Sequence, residues 1–302
     1  MKKFGVLLLA LVAMLSWNTP GTASAAVIGE HDLVQLIVDF PPGTWTPAHT
    51  HGGPLLATVL EGELVVRNNN GVTLGYKAGD SFVETVGEYL SVGNISSAKT
   101  RVAAAALLPK GAVLTTNQDG TSSQNAPPGP TTVYRNQTPA GDLHGDFDLV
   151  QLFLEFAPGA WTPSHTHGGR VLVTVLDGET TVRSTTFGEQ KHKAGESFVE
   201  GFPDFIIVGN GSSTTPIRNA AIILLPKGAA LTTTQAGLNT QGLPPGPSTI
   251  YRTQMSLTST GAPQQYAAAA VTADNVGWWA LGGGGLLLLA VVLFVGWRRR
   301  TR

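Results

Sequence analysis

The sequence predicts an all-β chain built as two tandem barrels, and three observations carry that reading. A nine-residue segment returns 116 residues downstream, short apolar runs end at Gly, Pro or Asn turns roughly every ten residues, and no stretch between the two chain ends keeps a helical period. The repeated segment is Trp45-Thr46-Pro47-Ala48-His49-Thr50-His51-Gly52-Gly53, and its copy is Trp161-Thr162-Pro163-Ser164-His165-Thr166-His167-Gly168-Gly169. Side chains on a strand alternate faces, so two histidines separated by one residue project to the same side. Each repeat therefore aims a pair of imidazoles into one cavity, His49 with His51 and His165 with His167.

Composition divides the chain further. Residues 1–26 open with Lys2 and Lys3, continue through an apolar run from Phe4 to Trp17 and close on Ala23-Ser24-Ala25, the small-x-small pattern of a secretory signal peptide. Residues 27–134 and 135–252 form the two barrel units. Residues 253–276 carry Ser, Thr, Gln, Ala and Gly with few large apolar groups, too little burial to drive ordering, and are expected to be a flexible stalk. Residues 277–297 hold no charge, and at about 1.5 Å per residue a helix of that length spans about 31 Å, enough for a bilayer core. Trp278, Trp279 and Trp297 stand at its edges and an arginine cluster fills residues 298–302. That pattern predicts one C-terminal transmembrane helix with a cytoplasmic tail, the barrels lying outside the plasma membrane.

Cysteine is absent, so an exported chain of this kind must hold its fold by core packing alone. Lys2, Lys3, Arg298, Arg299, Arg300 and Arg302 account for six of the 19 basic residues, which leaves the portion between the ends acidic against 20 Asp and Glu. Such a surface is a poor partner for nucleic acid.

Within the first unit, Asp32-Leu33-Val34-Gln35-Leu36-Ile37-Val38-Asp39-Phe40 reads as a strand that stops at Pro41-Pro42-Gly43. The histidine strand follows, then Leu55 to Leu60, a turn at Glu61-Gly62 and a strand from Glu63 to Arg67. After the turn Asn68-Asn69-Asn70-Gly71 the chain runs through Gly79-Asp80 into Ser81-Phe82-Val83-Glu84. A last block, Leu107-Leu108-Pro109-Lys110-Gly111, has its copy at Leu224-Leu225-Pro226-Lys227-Gly228. Here the offset is 117, so one residue is inserted between the blocks. Both units close alike, on Pro127-Pro128-Gly129-Pro130-Thr131-Thr132-Val133-Tyr134-Arg135 and Pro244-Pro245-Gly246-Pro247-Ser248-Thr249-Ile250-Tyr251-Arg252.

These spacings resemble the two motifs of the cupin superfamily. The first motif matches at Gly43, His49, His51 and Gly62, and at Gly159, His165, His167 and Gly178; its glutamate position holds Leu55 or Leu56 in one unit and Val171 or Leu172 in the other. The second matches at Gly79-Asp80 through Asn94 and at Gly195-Glu196 through Asn210, with its histidine position read at Tyr89 and Phe205. The resemblance covers about residues 26–252 and implies a bicupin, two jelly-roll barrels forming a pseudo-dimer within one chain.

It also implies a divalent metal, Mn, Fe, Ni or Zn, in sites lacking two of the family's four ligands. Glu84 and Glu200 stand either as substitute third ligands or as caps on backbone donors of the following loop. Trp45 and Trp161 share parity with the histidines and, with Tyr89 and Phe205, are read as pocket walls, core packing being the other reading. His31, His144 and His192 are read as ordinary surface residues. Three functions remain open: an extracellular protein binding a small molecule or metal, a metal-dependent enzyme of the oxygenase or isomerase kind, and a structural protein of the cell surface.

Overall fold

The computed structural model describes residues 27–119, 129–201, 204–235, 246–258 and 264–266. The first barrel contains β1 (Ile28–Phe40), β2 (His49–His51), β3 (Leu55–Glu61), β4 (Glu63–Asn68), β5 (Thr73–Lys77), β6 (Ser81–Glu84), β7 (Leu90–Gly93), β8 (Thr100–Pro109), β9 (Thr115–Asn117) and β10 (Thr131–His144). It is a sandwich of two antiparallel sheets, ordered β10-β1-β8-β3-β6 and β5-β4-β7-β2-β9. The second barrel repeats it with β11 (Phe147–Phe156), β12 (His165–Thr166), β13 (Arg170–Asp177), β14 (Glu179–Ser184), β15 (Gly188–Lys193), β16 (Ser197–Glu200), β17 (Ile206–Asn210), β18 (Ile217–Pro226), β19 (Thr233–Thr234), β20 (Ser248–Leu257) and β21 (Gln264–Tyr266). Its sheets run β16-β13-β18-β11-β20-β21 and β15-β14-β17-β12-β19. No helix occurs among the described residues, and none there is long and apolar enough to cross a membrane. The expected signal peptide and transmembrane helix lie outside the described residues.

Strands β1 and β8 are apolar on both faces because both faces are buried. Val34, Ala104 and Ala106 point into barrel 1, whereas Leu33, Ile37, Ala103, Ala105 and Leu107 meet Phe147, Leu149, Phe153, Leu172 and Ile222 of barrel 2. The larger sheets thus pack face to face, and the run Ala103-Ala104-Ala105-Ala106 keeps them close. Inside this layer Thr58 donates to Gln151 Oε1 at 2.6 Å, Thr253 reaches the same oxygen at 3.1 Å, and Gln35 Nε2 donates to the Ala220 carbonyl at 3.3 Å. The closing strands also reach across: Tyr134 of β10 lies on Gly195, and Tyr251 of β20 lies on Gly79.

Two expected boundaries move. Barrel 1 does not end at residue 134, because β10 pairs with β1 from Thr131↔Asp39 to His144↔Ile28. Nor does a stalk begin at residue 253: β20 continues to Leu257, paired with β11, and buries Thr253, Met255 and Leu257. The apolar alternation Met255, Leu257 is short, but it completes the face turned to barrel 1. The inserted residue falls in the loop before β18, where Asn210 and Ile217 replace the shorter step from Asn94 to Thr100. His31 is not on the surface either; it is buried, with Nδ1 2.7 Å from the Gly29 carbonyl.

The Gly-Gly after each histidine pair has a packing cause. A Cβ on Gly53 would lie 2.0 Å from the Leu107 carbonyl oxygen, and one on Gly52 2.3 Å from that of Val113; Gly168 and Gly169 meet Ala230 and Leu224 in the same way. Only glycine lets the histidine strand approach the backbone of β8 and the loop behind it. Replacing Gly53 by Ala must therefore push backbone aside, and thermal or urea unfolding of the Gly53→Ala chain should show a loss of about 1–3 kcal/mol. A melting curve matching the parent chain would remove this close approach as a constraint.

Candidate metal centre

Each centre is assembled from opposite sheets. β2 brings His49 and His51 from one sheet, and β6 brings Glu84 from the other. His49 Nδ1 is 2.9 Å from the Pro47 carbonyl oxygen and His51 Nδ1 is 2.9 Å from that of Leu114. A carbonyl only accepts, so both rings carry their proton on Nδ1 and turn Nε2 toward Glu84. The two Nε2 atoms lie 3.6 and 3.2 Å from Glu84 Oε2, and the rings stand at 88° with centroids 5.0 Å apart. Barrel 2 repeats the arrangement: His165 and His167 are 3.7 and 2.9 Å from Glu200 Oε2, held from behind by the Pro163 and Leu231 carbonyls. Its rings also stand at 88°, 5.0 Å apart.

All six side chains are buried. Burial strips the proton from His49 and His165, whose pKa values fall despite the nearby carboxylate. Burial would do the same to His51 and His167, but Glu84 and Glu200 outweigh it and raise them. Burial likewise opposes the charge on the two glutamates, and the facing histidines overcome it and lower both. In each barrel the three donor atoms lie within 4.8 Å of one another, and Glu84 Oε2 is buried without a hydrogen-bond partner. Two imidazole nitrogens and a carboxylate converging with their backs satisfied form a donor set for a divalent metal, so each His-His-Glu group could hold one. Three protein ligands leave coordination positions open, as catalytic sites do.

The carboxylate sits beside the position where the family resemblance expects one. Leu55, at the glutamate position of the first motif, pairs directly with Glu84 across β3 and β6, and Val171 pairs with Glu200 across β13 and β16. Cross-strand partners share a face. The acid has moved one strand over and kept its direction, which favours the ligand reading of Glu84 and Glu200 over the loop-cap reading.

Other expected site residues fall elsewhere. The residues that β7 and β17 set opposite the histidines are Leu90 and Ile206, the register partners of His49 and His165, and Tyr89 and Phe205 stand one residue earlier. Tyr89 and Phe205 are half-buried just ahead of β7 and β17, and Tyr89 does not line the barrel 1 cavity. A one-residue shift exchanges faces, so that misreading cost the inward position. Trp45 also stays out of the cavity wall. It stacks on Gly93, where a Cβ would lie 2.1 Å from the ring, with the Arg67 guanidinium 4.1 Å from its centroid; Trp161 does the same with Gly209 and Arg183. Parity failed because the strand begins only at His49, after Pro47 has turned the chain. Sequence reasoning missed Arg135, which lines the cavity mouth and whose signal was its repeat at Arg252.

A duplicated jelly-roll barrel with a histidine pair and a carboxylate in each half defines a β-barrel class with two sites that could each hold a divalent metal. Residues 36–105 match the cupin domain family, and barrel 2 repeats the strand order of barrel 1 with β21 added at one edge, so the chain carries a cupin domain and a second barrel of the same fold, a bicupin arrangement. No curated protein matches the chain by sequence. Among solved structures it is similar to AerE from Microcystis aeruginosa, at 18% identity over 64% of this chain and 88% of that one, with a TM-score of 0.45. Lactobacillus farciminis oxalate decarboxylase, solved as a formate complex, shows 14% identity over 68% and 79%, with a TM-score of 0.47. The coconut allergen cocosin shows 11% identity over 74% and 89%, with a TM-score of 0.50, a likeness of fold alone.

Metal must displace the proton that His51 keeps to higher pH than an ordinary imidazole, whereas Glu84 is already ionised. Affinity for Mn²⁺ or Zn²⁺ should therefore be level above the raised His51 pKa and fall roughly tenfold per pH unit below it. Calorimetry between pH 5.5 and 8 checks this, and an affinity constant across that range would contradict it.

Proposed function

We propose that the chain is an exported, membrane-anchored bicupin that holds a divalent metal in each barrel and uses its open coordination positions as a metal-dependent enzyme acting on a small molecule outside the cell. The observation that carries the metal part is the meeting of Glu84 and Glu200 with the histidine pairs, which raises two protein ligands to three in either barrel. A bound Mn, Fe, Ni or Zn ion would supply Lewis acidity or, for Fe, access to oxygen chemistry. The chain's own groups would hold that ion: carbonyls behind each ring fix the tautomer, and Leu55 and Phe82 flank the donors as apolar walls. The anchoring part rests on the apolar, tryptophan-flanked residues 277–297 and the signal-like residues 1–26.

Binding without turnover is a second reading, and one observation favours it. Among the described residues the ionisable ones lining the barrel 1 cavity are His49, His51, Glu84 and Arg135, so once three of them hold a metal no described carboxylate or imidazole of the lining is left as general acid or base.

Metal analysis of the purified full-length chain tests the proposal. Two equivalents per chain are expected, one after Glu84→Ala together with His51→Ala, and a Glu84→Gln chain should bind its barrel 1 metal ten- to a hundredfold more weakly. Unchanged affinity in Glu84→Gln removes the carboxylate from the centre, and a chain released from membranes by alkaline washing would contradict the anchor.

A further inference from the structure

The two centres match, but their surroundings do not. Barrel 1 encloses a cavity of about 700 Å³ that reaches from His49, His51 and Glu84 to Arg135, within the range of small-molecule sites. Across its larger sheet, Ala106, Leu55 and Glu84 form one inward row and Ala104, Ala57 and Phe82 the next. The corresponding rows of barrel 2 are Ile223, Val171, Glu200 and Ala221, Val173, Phe198. Thus Ala57, which lines the cavity, becomes Val173, adding two carbons, and Ala106, a core residue next to Leu55 outside the cavity lining, becomes Ile223, adding three; both larger side chains belong to the packed interior of barrel 2. Changes in the other sense are smaller or peripheral: Leu55 to Val171 removes one carbon, and Val113, replaced by Ala230, is exposed at the rim.

The charge of the chamber is equally specific. Arg135 pairs in register with Leu36, which pairs with Ala104, so it belongs to the same inward row as Ala57, about 14 Å away along the sheet at three strand spacings. Among the described residues, the exposed Arg135 takes part in no hydrogen bond or ion pair and Glu84 is the only acid lining the cavity. A divalent ion against one carboxylate leaves the floor positive, and Arg135 adds a second positive charge at the mouth. Between them one side of the wall is apolar, Leu36, Val38, Phe40, Phe82 and Val102, while Thr46, Thr115 and Thr132 add hydroxyls to the lining.

We propose that barrel 1 alone is the ligand chamber and that it takes a small organic acid with a hydrocarbon body, its carboxylate paired with Arg135 or with the metal, while barrel 2 holds only its ion. This rests on the metal reading above and narrows it to one barrel and one ligand class. Arginine suits the task because its fork pairs bidentately with a carboxylate, and an apolar wall suits the carbon chain.

The test is calorimetry on the full-length chain, loaded with Mn²⁺ and stripped of it, using hexanoate and adipate with hexan-1-ol as the uncharged control. The acids should bind at one site per chain and at least tenfold more tightly than the alcohol. Arg135→Gln should weaken them at least tenfold, Arg135→Lys less, and Arg252→Gln not at all. Filling the chamber with Ala57→Val and Ala106→Ile should abolish acid binding while the chain still takes up two metal ions, a count that also reports that the variant is folded. Two acid sites per chain, equal binding of the alcohol, an effect of Arg252→Gln equal to that of Arg135→Gln, or acid binding surviving the filled chamber would each overturn the proposal. Acid binding that needs Arg135 in a chain that takes up no metal would overturn the metal reading and leave the chamber standing.

Discussion

Three acceptors facing one another in a buried site are the constraint on which each barrel is built. With Nδ1 of both rings committed to backbone carbonyls, two lone pairs and a carboxylate oxygen converge on the cavity floor with little exposure to solvent. Such a group is stable only around positive charge, a proton or a metal ion. The opposed pKa directions within each histidine pair express the proton solution: one ring is kept neutral and its neighbour is driven to hold the charge the glutamate needs. A divalent ion satisfies all three donors at once, which a single proton cannot.

Holding that arrangement demands more of the backbone than of the core. The donors come from opposite sheets, so their separation depends on how closely the histidine strand lies to β8, and Gly52 and Gly53 set that distance by having no Cβ. Asn94 pins the other end of the same sheet, donating through Nδ2 to the Phe40 and Ala98 carbonyls; Asn210 does so in barrel 2 with those of Phe156 and Thr215. The glycine and asparagine positions shared by the two repeats are thus geometric parts of the centre although none of them touches a donor atom.

The barrels, their number and the histidine pairs were legible in the sequence because each rests on a local regularity: alternation, turn residues, or a repeated spacing. What was not legible depended on register between distant strands. No local rule says that Leu55 faces Glu84, so the glutamate at the end of β6 looked as much like a loop cap as a ligand. The inward residue of β7 was misplaced by one, at Tyr89 instead of Leu90, because the turn before that strand hides where alternation restarts. Trp45 was misjudged for a related reason, its parity with the histidines being broken at Pro47. The extension of β20 past residue 253 was hidden by composition, since Thr253 and Ser256 look like linker residues until Gln151 and Asp148 are seen to receive them.

Comparison of the two halves separates what the centre requires from what it tolerates. Duplication begins with identical copies, and every later change is permitted only where the structure can absorb it. The histidines, the glutamates, both Gly-Gly pairs and the Trp-Gly-Arg stacks are the same in the two barrels, down to ring angles of 88°. The walls have drifted, from Ala57 to Val173 and from Ala106 to Ile223. If small side chains beside the carboxylate were needed for the donor geometry, enlarging them in one barrel would have disturbed the donors there, yet the ring spacing is 5.0 Å in both. The donor set is therefore carried by strands and carbonyls, and the chamber beside it is free to change without moving the centre.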